Sequence, residues 1–202
     1  MSEITKSEGQ TQRSESRYVN FVLAILAVFA YFFGLNIPFL GPDEARYAQV
    51  AREMFERGDW VTPTLGGFNW FEKPALLYWL EIASYHVFGV NEFAARFGPA
   101  IFGLGTVVSL YILGRAIGSV LADSERPQAD DGFATRIALI TASTLGIMGF
   151  AHGASFDIIV TFPLTASLVS FYIWHNSNEC GNVAQTKAVS LSLVLFYVFI
   201  GF

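Results

Sequence analysis

Apolar and polar positions come in long blocks along this chain, and the block lengths are those a membrane imposes. Residues 1–17 are rich in Ser, Glu, Gln and Thr. They carry too little apolar surface to offset the entropy of ordering, so a disordered tail is expected. From Tyr18 to Pro42 no charged residue occurs, which exceeds the roughly 20 residues that a helix needs to cross the hydrocarbon core. A secretory leader has an apolar core of roughly 7–15 residues and a small-residue cleavage site. Ile37-Pro38-Phe39-Leu40 does not resemble one, so the segment reads as a retained anchor. The pattern predicts spans at about 18–42, 93–115, 136–156 and 158–176, the last two divided by Asp157 alone, and an apolar run over 188–202 that is too short to cross. A chain ending inside an unfinished span is expected to be a fragment. The fold class is all-α: a polytopic transmembrane helical protein.

Between the first two spans lies a polar loop over 43–92 with its own helical pattern. Gly41-Pro42 followed by Asp43 and Glu44 marks a helix start, and Gly58 marks its end. Asp43 falls in line with Tyr47, Val50 and Met54, and Glu44 with Ala48, Ala51 and Phe55. Arg46, Arg52, Glu53, Glu56 and Arg57 cover the other side. The acidic pair is therefore expected at the head of a buried face. A second helix is predicted over Pro74–Phe88, with Leu76, Trp79, Leu80, Ala83 and Val87 on one face and Tyr78, Glu81, Ser84 and Tyr85 on another. That division suits an amphipathic helix lying at the membrane interface. The alternative is a short span with Glu81 facing a cavity.

Composition agrees: 53% of residues are hydrophobic and 14% charged, with 20 Phe, too apolar for an ordinary soluble domain. A net charge of -5 gives no reason to expect nucleic-acid binding. The lone Cys180 excludes an internal disulfide and a cysteine metal cluster. Lys6, Arg13 and Arg17 precede the first span, which puts the N-terminus in the cytoplasm and the 43–92 loop outside. If Pro74–Phe88 stays at the interface, Asp157 emerges on the same outer side as Asp43. The segment from Arg115 to Arg136, with Asp123, Glu125, Arg126, Asp130 and Asp131, becomes a cytoplasmic loop.

Ionisable residues at a membrane boundary between long apolar runs are candidate functional groups. Asp43 and Asp157 qualify, although a helix-start or turn aspartate explains either position too. Glu72 and His152 are metal-ligand types without short ligand spacing, and His152 beside an apolar run reads as a boundary residue. Trp60, Phe68, Trp70, Phe71 and Trp79 form either an interfacial aromatic belt, the favoured reading, or a stacking platform for substrate.

Several short motifs in order carry a resemblance. Asp43-Glu44-Ala45-Arg46-Tyr47, Gly58-Asp59-Trp60, Phe71-Glu72-Lys73-Pro74 with Leu77-Tyr78-Trp79-Leu80, and Phe88-Gly89-Val90-Asn91-Glu92 with Ala95-Arg96 resemble the first extracytoplasmic loop of the GT-C glycosyltransferases. These include protein O-mannosyltransferases and, more closely, bacterial lipid A aminoarabinose transferases. The resemblance covers about residues 18–175 and makes 18–202 the N-terminal part of a GT-C-type transmembrane domain. It departs at Ala75, where relatives usually carry a second proline.

The resemblance implies sugar transfer, with inversion, from a polyprenyl-phosphate donor to an extracytoplasmic acceptor, a glycolipid such as lipid A or a protein hydroxyl, at the bacterial inner membrane. It makes Asp43 and Asp157 the catalytic carboxylates and Lys73 the contact to the carrier phosphate. Glu44, Arg46, Tyr47 and Glu72 become substrate-binding residues. A positioned carboxylate that takes the proton of a hydroxyl nucleophile contributes roughly 10²–10⁴-fold. A cation such as Lys73 or Arg46 stabilises the phosphate that gains charge as it leaves. No cofactor is required by this scheme, and a divalent metal is compatible with it. Two other classes remain: a transporter fragment, which should show helices interrupted within the spans, and a non-catalytic membrane protein. As a fragment, the 202-residue chain alone is expected to show little or no transferase activity.

Overall fold

The computed structural model describes residues 18–124, 131–179 and 186–201. The expected tail over 1–17, its basic residues, Glu125, Arg126, Asp130 and Cys180 lie outside the described residues, and so do the side chains of Asp123 and Asp131.

Helix α1 runs over Tyr18–Phe32. The expected first span to residue 42 is thus helical only in its first part. Gly34 takes a left-handed φ of 79°, and Pro38 lacks an amide donor, so residues 33–41 run irregularly to α2, Pro42–Arg57. Proline at its first position and Asp43 and Glu44 in its first turn suit the helix start. Gly58 closes it at φ 65°, with the Gly58 amide donating to Phe55 O and that of Asp59 to Met54 O, both at 3.1 Å.

A two-stranded hairpin follows, an addition to the all-helical expectation. Strand β1 (Thr64–Leu65) pairs antiparallel with β2 (Phe68–Asn69). Gly66 and Gly67 form the turn at φ 61° and 83°, the doubly positive conformation that two-residue hairpins favour. Glu53 of α2 latches it: one carboxylate accepts from Thr64 Oγ1 at 2.7 Å and from the amides of Gly66 and Gly67 at 2.8 and 3.3 Å.

Helix α3 (Ala75–Phe88) buries Leu77, Tyr78, Glu81, Ile82, Ser84 and Tyr85, and leaves Trp79 and Val87 exposed. The face with Tyr78, Glu81, Ser84 and Tyr85 is therefore turned inward together with Leu77 and Ile82, and Trp79 and Val87 of the other face point outward. Helix α4 (Glu92–Ser124) is the centre of the bundle, and α3, α5 (Asp131–Ser143), α6 (Leu145–Ala151) and α7 (Phe156–Glu179) all pack on it. Helix α8 (Thr186–Ile200) packs on α7. Asn91 caps α4, its Oδ1 accepting from the Ala94 amide at 2.9 Å.

By length and composition, Glu92–Gly118 and Phe156–Asn176 can each cross a membrane. The pair Gly132–Ser143 and Leu145–Ala151 makes a third if its 61° bend lies within one span. The expected span over 136–156 is accordingly bent, and α4 runs beyond the expected 93–115. These helices meet through small residues, as membrane helices do without a hydrophobic drive between them. A Cβ on Gly103 would lie 2.6 Å from the Ala151 Cβ and 2.8 Å from the Tyr31 ring, and one on Gly105 would lie 2.7 Å from the Phe162 ring. Tyr31 and His152 tie α1 to this junction, the Tyr31 hydroxyl donating to Ala142 O at 3.4 Å and His152 Nε2 lying 3.0 Å from Ala30 O.

Gly103→Leu should therefore force α1 and α6 off α4, lowering stability by about 1–3 kcal/mol and the melting temperature in detergent. Gly146→Ala, which meets open space, should leave the melting temperature unchanged. Equal melting temperatures for the two variants would contradict this packing.

Candidate functional site

Arg96 stands near the head of α4, its side chain 1% exposed. A cation there needs partners, because an unpaired buried charge costs several kcal/mol. Every N–H of the guanidinium has one. Nε donates to Glu44 Oε1 at 2.5 Å and Nη2 to Glu44 Oε2 at 3.0 Å, while Nη1 donates to Leu35 O at 2.8 Å and to Ile37 O, and Nη2 also reaches Pro38 O at 3.2 Å. The Phe39 ring lies 5.2 Å from the guanidinium carbon. Glu44 is equally saturated, accepting in addition the amides of Leu40 and Ala154, both at 3.0 Å. Burial alone would raise the Glu44 pKa, but the hydrogen bonds from Arg96, Ala154 and Leu40 outweigh it and hold it below the usual carboxylate value. One ion pair thus joins the irregular segment after α1, the start of α2, the head of α4 and the turn between α6 and α7.

This clamp corrects the expectation that Asp43 and Glu44 share a buried face. Tyr47, Ala48, Val50, Ala51 and Met54 are buried as expected, and Glu44 turns inward with them. Asp43 overhangs the helix end and its side chain is 69% exposed. With its acceptor positions filled by the protein, Glu44 acts as a structural anchor, whereas Asp43 meets solvent.

From Asp43 a row of alternating charge crosses the surface. Asp43 Oδ1 is 3.1 Å from Arg46 Nη2, Arg46 Nη1 is 3.5 Å from Glu72 Oε2, and Glu72 Oε1 is 3.5 Å from Lys73 Nζ. Aromatic rings back the two cations: Arg46 lies 5.7 Å from the Trp70 ring, and Lys73 Nζ 5.7 Å from that of Tyr47 and 4.5 Å from that of Phe156. Desolvation lowers the Lys73 pKa, but Tyr47 and Glu72 outweigh it and raise it, so Lys73 stays a cation. Trp60, Phe68, Phe71 and Trp79 are exposed.

Asp157 sits in the first turn of α7, exposed. Ser155 caps that helix, its Oγ donating to Asp157 Oδ2 at 2.7 Å and accepting the Asp157 amide at 3.3 Å. Glu44, next to Asp43, accepts the Ala154 amide, and Lys73 lies against Phe156, next to Asp157, so the structure brings the charged row and the turn before Asp157 together. His152 is committed to main-chain carbonyls on both ring nitrogens. Among the described residues no three His, Cys, Asp or Glu side chains gather as a metal site.

Two residues that organise this site had no site role in the sequence: Arg96, present there only as part of the Ala95-Arg96 motif, and Phe156. A cation at the head of the uncharged run over 97–114 is a signal that a buried acid must answer it. Phe156 carries no comparable mark.

The family model for dolichyl-phosphate-mannose-protein mannosyltransferase matches residues 21–202. The undecaprenyl phosphate-alpha-4-amino-4-deoxy-L-arabinose arabinosyl transferases of Yersinia pestis and Yersinia enterocolitica are 36% identical over 153 residues, which covers 75% of this chain and 26% of each of theirs. The chain therefore spans about a quarter of the length of these relatives. ArnT from Cupriavidus metallidurans in the apo state superposes with a TM-score of 0.68 at 22% identity, covering 90% of this chain and 31% of that one. ArnT bound to undecaprenyl phosphate superposes with a TM-score of 0.64 at 23% identity, covering 89% and 30%.

Two outcomes test this geometry. Arg96→Ala strands a buried carboxylate and should cost roughly 3–5 kcal/mol, read as loss of folded protein or a large fall in melting temperature. At the hairpin, burial raises the Glu53 pKa, but bonds from Thr64, Gln49, Gly66 and Gly67 more than offset it and bring it to about 2, against 4.5 when free. A lowered folded pKa means that the latch is complete above pH 4.5 and weakens as the pH falls towards 2. Pepsin cleavage beside Phe68 should therefore rise across that window, and Glu53→Gln should be cut readily already at its upper end.

Proposed function

Because the chain belongs to the dolichyl-phosphate-mannose-protein mannosyltransferase family, we propose that it forms the donor-side and catalytic loop region of a glycosyltransferase that takes a sugar from a polyprenyl-phosphate carrier. The acceptor is extracytoplasmic, a glycolipid such as lipid A or a protein hydroxyl, and the anomeric carbon inverts. The protein is a multi-pass protein of the bacterial inner membrane, with a cytoplasmic N-terminus and the 43–92 loop on the outer face. The observation that carries this reading is the row Asp43, Arg46, Glu72 and Lys73, its carboxylates exposed and its cations half-buried, held against the turn that leads to Asp157.

In the reaction, the bond from the anomeric carbon to the carrier phosphate oxygen breaks, and its electron pair stays on the phosphate. The acceptor oxygen forms the new bond from the opposite face. Charge grows on the leaving phosphate, so Lys73 stabilises the transition state more than the ground state. Its location between the Tyr47 and Phe156 rings limits its motion. A hydroxyl acceptor gives its proton to Asp43, which is exposed and paired with Arg46. An acceptor that arrives as an ionised phosphate has no proton to lose, and Asp43 then positions it or binds a sugar hydroxyl or amine. Asp157, whose orientation Ser155 sets, is the second carboxylate of the site. Arg46 and Glu72 keep Asp43 and Lys73 at a set spacing, and Tyr47 contributes one wall.

Undecaprenyl phosphate binding to detergent-solubilised protein tests the division of labour. Lys73→Ala should weaken binding about 10–100-fold, the worth of one hydrogen bond to a charged group, while Asp43→Asn should bind within about twofold of the parent because Asp43 serves the acceptor. Equal losses for both, or none for Lys73→Ala, would overturn the assignment.

A further inference from the structure

The polar face of α3 contains a buried group that the proposed reaction does not use. Glu81 and Tyr78 are both 0% exposed. Among the described residues, neither carboxyl oxygen of Glu81 nor the Tyr78 hydroxyl has a hydrogen-bond partner. The other two polar groups of that face are satisfied on main chain, the Tyr85 hydroxyl by Ala48 O at 3.3 Å and the Ser84 hydroxyl by Leu80 O at 2.9 Å. Buried polar atoms without protein partners are costly and are characteristically satisfied by ordered water.

The packing gives this cluster a direction. Tyr78 and Glu81 lie three residues apart on the buried face of α3, Tyr47 of α2 belongs to the same buried cluster as Tyr78, and the Tyr47 ring lies 5.7 Å from Lys73 Nζ. A polar line thus runs from the buried acid through Tyr78 and Tyr47 to the lysine of the charged row. The titratable groups that interact with Glu81 are Glu44 of α2 and Tyr78 and Tyr85 of its own helix, and Glu44 is itself paired with Arg96 of α4. Burial raises the Glu81 pKa well above the ordinary value and the charge of Glu44 adds to this. Both effects favour the neutral acid, a form able to donate and accept at once.

We propose that Glu81 is a positioning residue: through ordered water and Tyr78 it fixes Tyr47, and thereby holds Lys73 in place for the carrier phosphate. This rests on the carrier reading above. A neutral acid suits the task, because an ionised one would repel Glu44 and compete with it for Arg96. An apolar side chain at 81 would pack but would offer the water no partner.

The test measures undecaprenyl phosphate binding in detergent together with melting temperature and the infrared carboxyl region. Glu81→Leu and Tyr78→Phe should each weaken binding about tenfold, the loss of one hydrogen bond's worth of positioning, with melting temperatures no lower than the parent's. Glu81→Gln keeps a neutral donor and acceptor and should restore binding. The spectrum of the parent at neutral pH should contain a protonated carboxyl band that Glu81→Gln lacks. Parent-like binding by Glu81→Leu, where Lys73→Ala binds poorly, would overturn the positioning role and leave the carrier reading standing. Loss in Glu81→Gln equal to that in Glu81→Leu, or absence of the infrared band, would overturn the neutral acid. If the parent protein binds no undecaprenyl phosphate, the carrier reading fails and takes this role with it, even if the band is present.

Discussion

The structure depends on how one buried guanidinium is satisfied. Arg96 lies near the head of a membrane-length helix, just before the uncharged run over 97–114, where an unpaired cation would be prohibitive. Its answer is a complete set of acceptors drawn from separate parts of the chain: Glu44, and the carbonyls of Leu35, Ile37 and Pro38. Those carbonyls are available because the segment after α1 leaves helical geometry. Glu44 in turn takes the amide of Ala154. The desolvation cost of one side chain thereby fixes where four segments meet, and a short surface row of charge inherits its geometry from that meeting point.

The consequence for chemistry is a division between neighbouring carboxylates. Asp43 and Glu44 are consecutive, and consecutive residues on a helix point about 100° apart. Once Glu44 is drawn into the clamp, Asp43 must overhang the helix end into solvent, within reach of Arg46 and of anything that docks on the row. The structural carboxylate is buried and saturated, and the exposed one keeps acceptor capacity. Placing the rigid pair behind the reactive group limits the motion of the group in front, which is what a positioned base or binding carboxylate requires.

The same inside-out logic shapes the rest of the loop region. Helix α3 turns Tyr78, Glu81, Ser84 and Tyr85 inward beside Leu77 and Ile82 and shows Trp79 and Val87 outward. Glu53 performs for the hairpin what Glu44 performs for the bundle, collecting amides and a hydroxyl on one carboxylate. Such carboxylates gain most where they gather several donors that would otherwise lack partners.

Block lengths of apolar residues, the Gly41-Pro42 start and Gly58 stop of α2, the two-faced pattern of α3 and the turn before Asp157 were all legible in the chain, because each is set by local spacing or by a run of one residue type. Asp43, Arg46, Glu72 and Lys73 were legible as candidates because charge is rare here and stands out. The Gly66-Gly67 pair carried a hairpin signal too short to stand out beside the helices. Three matters were decided only by tertiary structure: that Glu44 and not Asp43 turns inward, that α1 stops at Phe32, and that Lys73 meets Phe156. Each depends on partners far apart in sequence, Arg96 on residues 35–44 and residue 73 on residue 156. Periodicity along one helix states which side chains share a face, but which face is buried, and by whom, is settled by the helix that packs against it.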